Sequence, residues 1–449
     1  MGRLFGTDGA RGIANTELTC ELALQIGRAM PAVLSAKNRS VFLIGMDTRA
    51  SSPMLANALA AGLNSAGVDV IQLGVVPTPA VAQLIPLWGC QGGAMVSASH
   101  NPCEFNGIKL FGSNGHKLPD ALEEKIEAMI LDCAEVLPVV LGGNIGRCST
   151  GEAAIPDYLR HLKSTIPATL ASKLREQGVQ KIALDCSNGS ASVTAPKLFS
   201  DLGFAYDLLS ATPDGVNINH NCGSTHVEVL QDYVREHNDI AAGFAFDGDA
   251  DRLLAVDEHG NLVDGDKIIA ICAKTLGLDA VVVTIMTNMG FHAFCDKNNI
   301  TREITTVGDR YVLERMLEHQ IALGGEQSGH IIFSEHAFTG DGQLTALQLL
   351  EVMRRSGKSL GELASEVEVF PQVMVNVTVS ALGKLRCESD PEIALAVKKA
   401  EAELGAEGRV LVRVSGTEPL IRVMLEGRSA AQIRALANEI AAVVKDRLI

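Results

Sequence analysis

The sequence predicts an α/β protein: three successive, similar α/β domains with mixed, largely parallel sheets, then a small C-terminal α+β domain. Three observations carry that prediction. Short Val/Ile/Leu runs alternate with Ala- and Leu-rich stretches along most of the 449 residues. The strand-like runs are apolar at successive positions, the pattern of strands covered by helices on both faces and so of parallel sheets. From Gln372 onward the order changes to strand, helix, two strands and a closing helix. A chain of this length also exceeds what one hydrophobic core serves.

In chain order, Val41 to Gly45 reads as a strand, Ser52 to Ala66 as a helix and Val68 to Leu73 as the next strand. The rhythm returns at Lys181 to Leu184, at Ile240 to Phe246 and, after the helical Lys267 to Leu276, at Ala280 to Ile285. Gly, Pro and polar residues gather at Gly142 to Pro156, Asp257 to Asp266 and Glu366 to Pro371, which mark boundaries. The domains expected are 1–153, 154–254, 255–367 and 368–449. In the tail, Pro391 to Leu404 reads as a helix, and Val410 to Val414 and Leu420 to Glu426 as strands. The last helix carries Ile433, Leu436, Ile440 and Val444 on one face. Gly357-Lys358-Ser359 resembles the end of a phosphate-binding P-loop, but Val352 replaces its first glycine and a helical run precedes it, so it reads as a helix stop.

A net charge of −15 speaks against a nucleic-acid or anionic-membrane partner, and requires a local Arg/Lys cluster for any anionic substrate. Ten cysteines without a C-x-x-C pair suit neither zinc nor a disulfide framework and read as reduced thiols. No apolar run is long enough to span a bilayer, and the first residues lack a signal-peptide pattern, so a soluble cytoplasmic protein is expected.

Four segments carry candidate chemistry. Phe244 to Arg252, F-A-F-D-G-D-A-D-R, leaves a strand with Asp247, Asp249 and Asp251 alternating, so an extended continuation turns all three to one side. Close carboxylates repel unless a cation joins them, and a hard-oxygen set suits Mg²⁺. An EF-hand is disfavoured because Arg252 stands where the sharp turn needs Gly. A solvated acidic turn is the alternative. Val96 to Pro102, V-S-A-S-H-N-P, places Ser99 at a strand exit, with His100 and Lys109 as proton carriers or phosphate partners; an Asn-Pro turn is the rival reading. Arg413 to Arg422, R-V-S-G-T-E-P-L-I-R, offers Ser415, Gly416 and Thr417 as an anion nest and two forked guanidinium groups, or a hairpin with solvated arginines. Gly324 to His330, G-G-E-Q-S-G-H, offers Glu326 and Ser328 to sugar hydroxyls. Arg11 in F-G-T-D-G-A-R-G, and Asp309 and Arg310 after Gly308, sit on further charged loops.

Together, and in this order, the segments resemble the α-D-phosphohexomutase superfamily over essentially the whole chain. The resemblance implies domains around a central cleft and a phosphoserine at Ser99. It implies Mg²⁺ on Asp247, Asp249 and Asp251, with the serine phosphate as a further ligand. It assigns catalysis to Ser99, with His100, Lys109 and Arg11 as candidate partners. It assigns substrate contacts to Arg252, Asp309, Arg310, Glu326, Ser328, His330, Arg413, Ser415, Gly416, Thr417 and Arg422. F-G-T-D-G at the start, Asn217 to His226, Thr306 to Val312 and the G-E-Q-S-G-H wording resemble the amino-sugar branch. That branch implies a small-molecule hexosamine phosphate as substrate, a glucosamine or glucose 1,6-bisphosphate as intermediate or activator, and a homodimer. The nearest alternative is another hexose branch of the same superfamily, acting on glucose or mannose phosphates; a phosphatase, a non-catalytic phosphosugar sensor and structural calcium binding are the competing classes.

Overall fold

Continuous apolar runs need cover on both faces, and the chain meets that need by burying Val41–Met46 and Gly92–Val96 side by side within one sheet. In this computed structural model, which describes residues 3–6, 8–132, 137–414 and 420–448, that sheet has seven strands. Their order is Phe5–Gly6, Gly9–Ile13, Phe105–Gly112, Gly92–Val96, Val41–Met46, Asp69–Val75 and Cys148–Thr150. The last four run parallel; the first three join antiparallel. A five-stranded sheet follows, ordered Leu262–Val263, Leu253–Asp257, Ile240–Phe246, Lys181–Asp185 and Tyr206–Leu209, with its last three strands parallel. The third sheet has Thr301–Thr305, Ala280–Thr284 and Leu323–Gly325 in parallel and Ile331–Phe333 antiparallel at its edge. The expected mixed, largely parallel α/β layout is what the chain adopts.

Helix ends follow from local chemistry. Asp341 caps Gly342–Ser356 by accepting the Leu344 N–H at 2.9 Å. That helix stops at Gly357, whose φ of 66° suits a residue without Cβ, so the glycine before Lys358 and Ser359 ends a helix rather than cradling phosphate. Ser359 and Glu362 form a reciprocal capping box on the next short helix.

The chain divides into two compact units: residues 1–286 with 298–366, and residues 287–297 with 367–449. The first holds the three sheets above. The second pairs Gln372–Thr378, Leu420–Gly427 and Gly408–Val414 antiparallel. Ile433, Leu436, Ile440 and Val444 of the helix Ala430–Leu448 are all buried against Val377, Ile421, Val423 and Leu425. Truncating one of them, as in Ile440→Ala, would cost about 2–5 kcal/mol. Among the described residues no helix is long and apolar enough to cross a membrane.

Candidate active site

Two strand exits meet in the first unit. Gly92–Val96 leads into Ser99, and Ile240–Phe246 leads into the aspartates. Ser99 is fully buried and has a φ of 52°, a left-handed conformation that non-glycine residues seldom adopt and that stores about 1–3 kcal/mol. Its Oγ donates to Asp247 Oδ2 at 2.6 Å and lies 3.3 Å from His100 Nδ1. Its N–H donates to Ser97 Oγ at 2.9 Å.

The aspartate segment departs from the extended run that alternation predicts. It is a turn: Ala250 has a φ of 57° and its N–H bonds the Asp247 carbonyl at 3.0 Å. The three carboxylates converge all the same, each offering an oxygen within 4.8 Å of the others. Backbone bonds fix the turn from several sides: Thr78 N–H to the Asp249 carbonyl at 2.9 Å, Ser190 N–H to that of Gly248 at 2.8 Å, and Gly342 N–H to that of Ala250 at 3.0 Å. Gly248 allows the two loops to meet, because a Cβ there would stand 2.6 Å from the Ser99 carbonyl oxygen.

Charge decides what this cluster can hold. Burial pushes the Asp247 carboxyl well above the usual carboxylate range, and the charges of Asp251 and Asp249 push it further. Burial would raise Asp251 too, but Lys109, His330 and Arg252 hold it well below that range. Lys109 Nζ lies 2.8 Å from Asp249 Oδ2, 3.2 Å from Asp251 Oδ2 and 3.1 Å from Asp8 Oδ2. Burial alone would lower its pKa; the three carboxylates outweigh burial and raise it well above normal. Lys109 is therefore held as an ammonium that balances the charge of the carboxylates, and it does not suit the role of a base. His100 is drawn down to about 4, by burial first and then by Arg252 and Arg11, so its ring is neutral. The Oδ1 atoms of Asp249 and Asp251 are buried without a hydrogen-bond partner. Three converging carboxylates with two orphaned oxygens fit a hard divalent cation such as Mg²⁺.

Around this centre, Arg11 pairs with Asp8 and reaches Asn101 Oδ1 at 3.5 Å. The Arg252 guanidinium keeps a buried Nε unpartnered, 3.9 Å from Asp251 Oδ1. His330 is buried; its Nε2 accepts the Gly340 N–H at 2.9 Å, and its Nδ1 stands 3.7 Å from Asp251 Oδ2. Asp309 accepts Lys117 Nζ at 2.5 Å and lies 3.5 Å from His330 Nε2. Arg310 instead turns to Asp120 and to Glu123, 3.0 Å away. Glu326 accepts the Gly308 N–H at 3.0 Å, and Ser328 is exposed.

In the second unit Arg413 and Arg422 are directly opposite partners on adjacent strands. Like charges so placed destabilise a sheet, and burial followed by Arg422 lowers the Arg413 pKa; an anion there relieves both. Ser415, Gly416 and Thr417 lie outside the described residues.

Sequence reasoning gave no site role to Asp8, Asp47, Arg49, Lys117 or Asn219, although Asp8 and Asn219 lie in the F-G-T-D-G and Asn217 to His226 segments it singled out. Asp47 and Arg49 had one visible signal, charged residues directly after an apolar strand.

The chain matches four family models in sequence: phosphoglucomutase/phosphomannomutase alpha/beta/alpha domains I, II and III at residues 2–136, 156–260 and 264–370, and the C-terminal domain at 374–443. It is 50% identical over 452 residues to the phosphoglucosamine mutase of Clostridium perfringens, covering 99% of each chain. The fold is shared with a phosphoglucomutase/phosphomannomutase family protein from Burkholderia thailandensis, at TM-score 0.81 and 23% identity over 100% of this chain and 99% of that one. It is also shared with Aspergillus fumigatus N-acetylphosphoglucosamine mutase in complex with GlcNAc-6P and magnesium, at TM-score 0.63 and 18% identity over 100% and 96%. Four matched domains and half-identity over full length place the chain in the phosphoglucomutase/phosphomannomutase family, in the branch of the phosphoglucosamine mutases.

Proposed function

We propose that the chain interconverts glucosamine 6-phosphate and glucosamine 1-phosphate as an isomerase, through a phosphoserine at Ser99 and a glucosamine 1,6-bisphosphate intermediate. The product would feed UDP-N-acetylglucosamine synthesis in the cytoplasm. The observation that carries the reading is the Ser99 hydroxyl, buried and 2.6 Å from Asp247 in the aspartate cluster, in a chain half-identical to a phosphoglucosamine mutase.

Phospho-Ser99 passes its phosphoryl group to the 1-hydroxyl of glucosamine 6-phosphate: the bond from Ser99 Oγ to phosphorus breaks as the sugar oxygen bonds to it. The sugar hydroxyl loses its proton and Ser99 Oγ gains one. The bisphosphate then turns over and Ser99 Oγ attacks the phosphorus of the 6-phosphate as the bond from that phosphorus to O6 breaks; the serine proton ends on O6 and glucosamine 1-phosphate leaves. His100, with Nδ1 3.3 Å from Ser99 Oγ, is placed to hold the serine proton. Lys109 and Arg252 offset negative charge on the transferring group. Mg²⁺ held by Asp247, Asp249 and Asp251, and by the phosphate of Ser99, would supply positive charge that withdraws electron density from that group. Glu326, Ser328, Asp309, Arg310 and His330 are assigned to the sugar. Arg413 and Arg422, with Ser415, Gly416 and Thr417, are assigned to the phosphate that is not reacting. A homodimer is part of the same reading.

Assaying glucosamine 6-phosphate turnover, with glucose 1,6-bisphosphate as activator, tests it. Wild type should convert the amino sugar faster than glucose or mannose phosphates, and Ser99→Ala should lose turnover while keeping its fold. Stoichiometric release of inorganic phosphate would point to a phosphatase instead.

A further inference from the structure

We infer that Asn219 and Arg49 are positioning residues for the nucleophile: they clamp the backbone carbonyls of the Ser99 loop and hold the serine in its left-handed conformation. The inference rests on Ser99 being the phosphoryl carrier and adds what keeps it aimed.

Both residues aim donors at the same peptide oxygens. Arg49 Nη2 donates to the Ser99 carbonyl at 2.9 Å and to that of Asn101 at 2.8 Å, and its Nη1 donates to that of Pro102 at 2.5 Å. Asn219 Nδ2 donates to the Ser99 carbonyl at 2.9 Å and to that of Asn101 at 3.0 Å. A serine at positive φ relaxes unless its peptide planes are fixed, and rotating those planes would swing Oγ away from Asp247. Four donor contacts on two carbonyls supply that restraint.

The clamp is itself braced. Arg49 and Asp47 are fully buried as an ion pair at 2.9 Å, and Asp47 also accepts the hydroxyls of Ser52 and Ser97 at 2.6 and 2.7 Å. Ser97 in turn receives the Ser99 N–H, so one carboxylate serves both sides of the nucleophile. On the other side, Ser187 Oγ donates to Asn219 Oδ1 at 2.7 Å, which turns the amide nitrogen toward Ser99. Asn219 belongs to the Asn217 to His226 segment, whose wording marks the amino-sugar branch. Its contact is with the nucleophile loop, through backbone, so this residue governs rate rather than choice of sugar.

The test compares wild type with Asn219→Ala, Asn219→Asp and Ser187→Ala, with Ser99→Ala run in parallel. Losing the amide donor should lower kcat by roughly 10- to 100-fold, the scale of a small misplacement of a reacting group, and leave KM for glucosamine 6-phosphate within about twofold. Phosphorylation of Ser99 by glucose 1,6-bisphosphate should slow in parallel. Asn219→Asp keeps the acceptor for Ser187 but loses the donor, and should be as slow as Asn219→Ala even if more stable. Ser187→Ala should be milder, and adding it to Asn219→Ala should cost nothing more, because Ser187 acts through the amide. A raised KM at unchanged kcat would make Asn219 a sugar contact and overturn the inference. Activity that merely tracks melting temperature across the variants would also overturn it. Full activity in Ser99→Ala would instead refute the phosphoserine reading beneath it.

Discussion

Replacing Lys109 by Met would leave Asp249 and Asp251 buried with no ammonium 2.8 and 3.2 Å away. Breaking a buried pair in this manner costs about 3–5 kcal/mol. Chemical denaturation should register that loss, and Mg²⁺ should restore more stability to Lys109→Met than it adds to wild type, because a cation replaces the missing charge. Equal Mg²⁺ effects on the two proteins would mean that the metal does not share the carboxylates with Lys109. Asp249→Asn should weaken Mg²⁺ binding at least tenfold by calorimetry, since a charged ligand becomes neutral. At this scale the aspartates and Ser99 were legible because each set is contiguous in sequence and leaves a strand. Lys117 was not: its importance comes from contacts with segments far along the chain, such as Asp309, and a single charged residue in a loop carries no periodic signal.

The helix Gly342–Ser356 begins at Asp341, whose carboxyl burial lifts from 3.8 to about 6 although the Leu344 N–H and the Tyr158 hydroxyl favour its ionised form. A folded pKa above the unfolded one means that the folded chain holds the extra proton between those values. Stability from this group is thus complete below about pH 4 and falls as pH rises to about 6, by roughly 3 kcal/mol at most at 1.36 kcal/mol per unit. Asp341→Asn should flatten that part of the stability profile, measured by urea denaturation at stepped pH; an unchanged slope would assign it to other groups. In the hairpin that carries Arg413 opposite Arg422, Arg422→Gln should raise the KM for sugar phosphate about tenfold or more, measured by steady-state kinetics. Most elements were legible from their apolar runs; Ile240–Phe246 and Pro391–Leu404 lie where the runs predict them. The aspartate turn was misread as extended because nothing in D-G-D-A-D announces that Ala250 takes a left-handed conformation.

Across the whole molecule, a net charge of −15 opposes the approach of a sugar phosphate, so recognition falls to the few cations gathered at the site. Alternation of strands and helices was enough to read the α/β class and the changed style of the tail. Strand order was not: pairing Gly9–Ile13 with Phe105–Gly112, and adding Lys109 to the aspartates, depends on contacts between distant segments that local pattern does not encode. Covalent phosphoryl transfer rests on one hydroxyl. Incubating the purified chain and its Ser99→Ala variant with radiolabelled glucose 1,6-bisphosphate and mapping the label by peptide mass spectrometry tests it most directly. Label is expected on Ser99 of wild type, chased onto hexosamine phosphate when unlabelled glucosamine 6-phosphate is added, and none on the variant. Label on another residue, or turnover of glucosamine 6-phosphate by the variant, would contradict it.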